Sequence, residues 1–147
     1  MMDINPVTPG LERFVDAQNQ VYDAVLEELA LGEKTTHWMW FIFPQLKVLG
    51  RSPTAQHFGI ESLDVAVAYW QHPILGARLL ECTQLLLQQA NDNVFEIFGA
   101  PDHLKFRSCM TLFRQVAPQE PVFEQALERF FQGKPDEVTL KWLKKHP

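Results

Sequence analysis

The sequence predicts an all-α fold, a compact orthogonal multi-helix domain of about seven to nine helices. Three observations predict it. Apolar residues recur at the helical spacing of about 3.6 residues through most of the chain. Stretches with that spacing open on Ser, Thr, Asn, Asp or Pro and several close on Gly. No segment alternates polar and apolar residues beside another that could pair with it as a strand. The length of 147 residues suits one domain able to bury its own core. Residues 1–147 therefore read as one helical domain, with 1–8 a loose N-terminal segment.

The first helix opens with Thr8 as cap and Pro9 at the first helical position, and Gly32 ends it. Its stripe is Leu11, Phe14, Val15, Tyr22, Val25, Leu26 and Leu29, with Asp16, Gln20, Asp23, Glu27 and Glu28 as the solvated side. Gln18 falls on the apolar face, where its amide needs partners, either as a structural link or in a pocket. Ser52-Pro53 starts a short helix over Thr54 to Phe58, with Gly59 closing it, and Ser62 caps one that runs to Gln71. Pro73 opens the next, with the stripe Leu75, Leu79, Cys82 and Leu86, extending to about Gln89. Asn93 and Glu96 resemble a capping box, and Gly99 ends that turn. Pro101 begins a helix through Val116, and Pro121 one that Gly133 ends. Asp136 caps the last helix, with Val138, Leu140 and Leu143 buried and Lys141, Lys144 and Lys145 near its negative end.

The segment Thr36 to Gln45 holds two of the four tryptophans and two of the eleven phenylalanines. It has no single polar face, so it reads as a short helix buried all round and stopped at Pro44, which lacks an N–H. A buried strand is the alternative, suited to its aromatic content but lacking a partner of similar signature.

Composition narrows the function. A net charge of -5 argues against nucleic acid as the main partner, because phosphate binding needs excess Lys and Arg. No run reaches bilayer length, and Met1 to Pro6 has neither a basic nor an apolar signal region, so no membrane role and a cytoplasmic location are expected. Cys82 and Cys109 in apolar contexts suit buried reduced thiols. Phosphate-loop, nucleophile-elbow and His-Glu-x-x-His patterns are missing, and the histidines and cysteines lack metal-ligand spacing. No metal and no cofactor are expected, and whether the chain is an enzyme stays open.

Three polar features carry potential chemistry. His37 starts the buried segment, where the helix dipole and desolvation favour a neutral imidazole able to act as a base; the alternative is a histidine bonded to backbone. Gly50-Arg51-Ser52-Pro53 places a guanidinium and a hydroxyl at a helix N-terminus, an anion site or an ordinary capped loop. Lys105 and Ser108 share one face of a helix, Arg107 and Thr111 another. Either the two cations reach outward to carboxylates, or one faces a pocket with His37 and Gln45. Ser108 as nucleophile with Lys105 as base matches no recognised catalytic spacing.

His37 to Gln45, Leu49 to Pro53, Phe58-Gly59-Ile60 and His72 to Gly76 resemble a bacterial family, the domain of unknown function eighteen-ten. Ile97-Phe98-Gly99, Asp102, Leu104-Lys105, Arg107-Ser108, Met110 to Phe113, Phe130-Phe131 and Gly133 continue the resemblance. It implies a small all-helical protein and brings no established activity. Its members are often labelled calpastatin, a polar extended inhibitor that this chain does not resemble.

Two functions compete. In the first, Gln18, His37, Trp38, Trp40 and Gln45 form an aromatic-lined pocket, and Arg51, Lys105, Arg107 and Ser108 hold a small anionic ligand, nucleotide-like or phosphorylated. In the second, the chain is an interaction or regulatory module for another protein, and the Trp-rich motif is only core.

Overall fold

A computed structural model describes residues 10–147. Among them the chain forms nine α-helices: α1 (Glu12–Leu31), α2 (Met39–Ile42), α3 (Pro53–His57), α4 (Leu63–Gln71), α5 (Leu75–Gln88), α6 (Val94–Phe98), α7 (Asp102–Val116), α8 (Pro121–Phe131) and α9 (Glu137–Lys145). A 3-10 turn occupies Lys47–Leu49. The all-α expectation holds, and the Trp-rich segment is the short helix α2, not a strand. The isolated parallel bridge between Leu46 and Ile60 is the β pairing seen among the described residues.

The punctuation works as the side chains require. Ser52, Ser62, Asn93 and Asp136 each accept a hydrogen bond from the backbone N–H three residues on, the N-cap geometry. Gly32 and Gly99 end α1 and α6 with φ of 74° and 76°, a region open to glycine and costly for other residues. The Thr8-Pro9 start lies outside the described residues. The helix expected from Pro73 starts instead at Leu75, because the His72 ring caps it: Nδ1 accepts from Ile74 N at 3.1 Å and Leu75 N at 3.3 Å.

Helices α4, α5, α7 and α8 pack on one another, with α1 against α5 and α9 against α7. Between them lies an aromatic core centred on Phe106, whose ring meets Phe43 at 4.9 Å and Phe98 at 5.0 Å. Tyr69 bridges Phe14 at 5.1 Å and Phe113 at 5.4 Å. Most of these contacts are edge-on or tilted, the arrangement that aromatic quadrupoles prefer.

Two expectations on burial are corrected. Glu28, read as solvated, is 8% exposed, because the chain after α1 folds back over it and uses its carboxylate as an acceptor. Val138, read as buried, is 58% exposed. It sits in the first turn of α9, a helix that packs on α7 and buries Thr139 and Leu143 instead.

Gln18 is buried and structural in its contacts. Its Nε2 donates to Phe41 O at 2.7 Å and Tyr69 Oη at 3.2 Å, while Arg78 donates to its Oε1 at 3.3 Å. It thus ties α1 to α2, α4 and α5. Gln18→Leu keeps similar bulk and leaves the Phe41 carbonyl without this donor. A loss of about 1–2 kcal/mol is expected, read as a lower urea midpoint at unchanged m. A midpoint equal to the parent would show that the link is energetically idle.

Candidate functional site

A cleft of about 430 Å³ opens where three segments meet: the loop from Gln45 to Ala55, the first half of α7, and the start of α9. Each wall has a local cause. Pro44 follows α2, and the chain then pairs with Ile60, with Lys47 N donating to Ile60 O at 2.7 Å and Ile60 N to Gln45 O at 2.9 Å. Gln56 Nε2 donates to Lys47 O and Gly50 O, closing the loop on itself. This holds Gln45 in the wall and the exposed Arg51 at the rim.

The second wall is a stripe of α7. Pro101, Leu104, Lys105 and Ser108 recur at the spacing that places residues on one helical face. The third wall is Asp136 and Val138. Asp136 is sewn to α7, its N–H donating to Thr111 Oγ1 at 2.9 Å and its Oδ2 accepting from Ser108 Oγ at 3.1 Å. Thr139 donates to the same Oδ2 through both its N–H and its hydroxyl. Leu49, Ala55, Leu104 and Val138 supply aliphatic surface, and Gly50 and Ser52 complete the loop wall.

The charges around Lys105, one of its lining residues, do not balance. Asp102 lies 2.9 Å from Lys34 Nζ and 3.7 Å from Lys105 Nζ, so one carboxylate serves two ammonium groups. The Lys34 side chain is only 7% exposed and that of Lys105 23%. The lysines also lie over indoles, Lys34 Nζ at 5.2 Å from the Trp38 ring and Lys105 Nζ at 5.2 Å from that of Trp40. Cation–π attraction eases the burial without neutralising it.

The structure brings together Gln45, Arg51, Lys105 and Ser108 from the nine residues singled out in the sequence. Gln18 and Trp38 lie in the core instead, and Trp38 Nε1 donates to Glu28 at 3.0 Å. His37 is exposed, not desolvated, because the Thr35 and Thr36 N–H groups turn in to Glu28 and leave the next side chain outside. Trp40 stands behind Lys105 with its Nε1 buried and without a partner among the described residues. Arg107 forms no ion pair among the described residues; its guanidinium lies 5.7 Å from the Phe131 ring, and its Nε is buried without a partner. Of the two alternatives open to the cations, Lys105 reaches a carboxylate at Asp102 and Arg107 takes neither, since the wall of α8 takes its side chain.

The geometry places two further features. The start of α3 is an occupied cap: Ser52 Oγ takes Ala55 N, Ser52 O takes Gln56 N, and Pro53 has no N–H. Ser108 hydrogen-bonds to Asp136 and Leu104 O, not to Lys105. Asp136 was legible only as a helix cap; the Leu104-Lys105-Ser108 stripe could have flagged the cleft, but nothing local signals the long-range approach of α9.

A match to the model of a family described as protein of unknown function (DUF1810) extends over residues 8–143. The chain belongs to this family. It is also similar to the crystal structure of the conserved hypothetical protein Rv1873 from Mycobacterium tuberculosis. The two are 47% identical, with 95% of this chain and 99% of that one covered and a TM-score of 0.91. A comparison with curated proteins finds no match. The family likeness and the helical fold anticipated from the Trp-rich motif both hold, and neither carries an activity.

Burial pushes the Cys82 thiol up to about 12, aided by the Glu81 charge and opposed by the Tyr22 hydrogen bond, and Cys109 is raised by burial alone. Both thiols are unpaired and inert at neutral pH. Among the described residues no group of three or more His, Cys, Asp or Glu is placed to hold a metal ion. No helix there is long and apolar enough to cross a membrane.

Proposed function

We propose that the cleft binds a small anionic ligand, with Lys105 and Arg51 as its cationic contacts and Gln45 and Ser108 as polar ones. The observation that carries this reading is the sharing of Asp102 by Lys34 and Lys105. Half-buried cations in excess of their carboxylates are costly unless another anion arrives. The cleft supplies room for one beside Lys105, and its volume lies in the range of about 300–1,000 Å³ common for small-molecule sites. A nucleotide stacked on indole is disfavoured, since Trp38 is enclosed and Trp40 is covered by Lys105. The free thiols fit a reducing, cytosolic setting.

Thermal unfolding with a panel of small carboxylates and phosphates tests this. At about one hundred times Kd a ligand adds about 2.7 kcal/mol of stability, a shift of several degrees. We expect such a shift from at least one class, and its loss in Lys105→Gln, which keeps much of the stem over Trp40. A panel without effect, or a shift that survives both Lys105→Gln and Arg51→Gln, overturns the reading. In that event the exposed Leu104 and Val138 at the cleft mouth, 44% and 58% exposed, favour a protein-docking face instead.

A further inference from the structure

The cleft holds charges of both signs that do not neutralise each other. Lys105 Nζ is turned to Asp102 and Trp40, whereas Asp136 is held to Ser108 and Thr139. No ion pair joins Lys105 or Arg51 to Asp136 among the described residues. Among the described residues the hydrogen bonds to the Asp136 carboxylate all fall on Oδ2, so Oδ1 is left for a donor from the cleft. Lys105 and Ser108 are one helical turn apart, about 5–6 Å between Cβ atoms, and Ser108 touches Asp136. The positive and negative positions are therefore neighbours, set on fixed elements, with aliphatic surface beside them.

We propose that the ligand is a small zwitterion with an aliphatic body, a free branched-chain α-amino acid being the chemistry that fits. Its carboxylate meets Lys105 and Arg51, its ammonium meets Asp136 Oδ1, and its side chain lies on Leu49, Leu104 and Val138. This rests on the anion reading of Lys105 and adds a second, opposite requirement. A simple anion satisfies the lysine but brings its charge toward Asp136. A phosphate ester adds a second negative charge there, and among the described residues no aromatic ring lines the cleft to hold a nucleobase. Asp136 discriminates because its Oδ1 gains a charged donor from an ammonium group and none from a simple anion.

Calorimetric titration of the full chain with L-leucine, N-acetyl-L-leucine, L-leucinamide and isovalerate tests this. Leucine is expected to bind at least tenfold more tightly than the other three, each of which lacks one of its charges. Asp136→Asn preserves the cap, since Asn serves as well as Asp at that position. It is expected to weaken leucine at least tenfold and not to weaken isovalerate. If isovalerate or N-acetyl-leucine binds the parent as tightly as leucine, the zwitterion proposal falls while the anion reading stands. If phosphates bind and leucine does not, it falls in the same way. If none of these ligands or phosphates binds, both fall. The ligand comparison decides the matter even if Asp136→Asn does not fold.

Discussion

Replacing Glu28 with alanine is expected to cost about 3–4 kcal/mol, because one carboxylate organises the whole exit from α1. Its oxygens accept from Thr35 N at 2.7 Å, Thr36 N at 3.1 Å, Thr36 Oγ1 at 2.6 Å and Trp38 Nε1 at 3.0 Å. The indole is fully enclosed, so its N–H cannot turn to water when the acceptor goes. Each orphaned buried donor costs about 1–3 kcal/mol, and water reaching the threonines returns part of that. Urea unfolding followed by circular dichroism measures the loss, with Glu28→Gln expected to lose roughly half as much. A cost under about 1 kcal/mol in the alanine variant would mean that the turn holds itself together.

Glu28 also sets a pH dependence. Burial pushes its carboxyl up, but hydrogen bonds from Thr36, Thr35 and Trp38 outweigh it and hold the group below the usual glutamate range. Its stabilising contribution is therefore complete above the unfolded value of about 4.3 and is lost as pH falls through the lower folded value. The gap in stability between the parent and Glu28→Gln should narrow over that acid window.

Glu28 shows where sequence reading reaches its limit. The caps Ser52, Ser62, Asn93 and Asp136 and the stop at Gly32 were legible, because each acts on its own neighbours within a few residues. The stripe of α1 was legible too, since periodicity records which face meets the core. Glu28 was not: it lies at the edge of that stripe, and its acceptor role appears only when Thr35 to Trp38 fold back on it. Val138 failed for the opposite reason. An apolar residue in a helix counts toward its stripe, yet the start of α9 is set by the ties of Asp136 to Thr111 and Ser108 of α7. The candidate site divides along the same line. Lys105, Ser108 and Gln45 stand out as polar groups in apolar surroundings and Arg51 as a cation at a helix start, and they converge. Trp38 was chosen because it is aromatic, and enclosed aromatics make cores more readily than they make walls. The charge imbalance at Asp102 needs residues 34, 102 and 105 together, a distance in sequence that no local pattern spans.

Gly76→Ala is expected to cost 3 kcal/mol or more, roughly the top of the range for overpacking. Taken as a helix position alone it should do the reverse, since alanine is favoured over glycine by about 0.8–1.0 kcal/mol. The deciding fact is its neighbour. Gly76 is buried in the first turn of α5, its N–H donating to His72 O at 3.0 Å, and an added Cβ would drive into the carbonyl oxygen and carbon of Trp70. A flexible side chain could move aside, but this is the last turn of α4, whose backbone is fixed by its own ladder. Relief therefore means separating α4 from α5, which disturbs Trp70 on Phe123, 5.4 Å between ring centroids, and the buried Leu75 and Leu79. Ala77→Gly, at the exposed next position, isolates the propensity term and should cost about 1 kcal/mol. If Gly76→Ala instead raises the unfolding midpoint, α4 and α5 have slack between them and glycine is not required for their close approach.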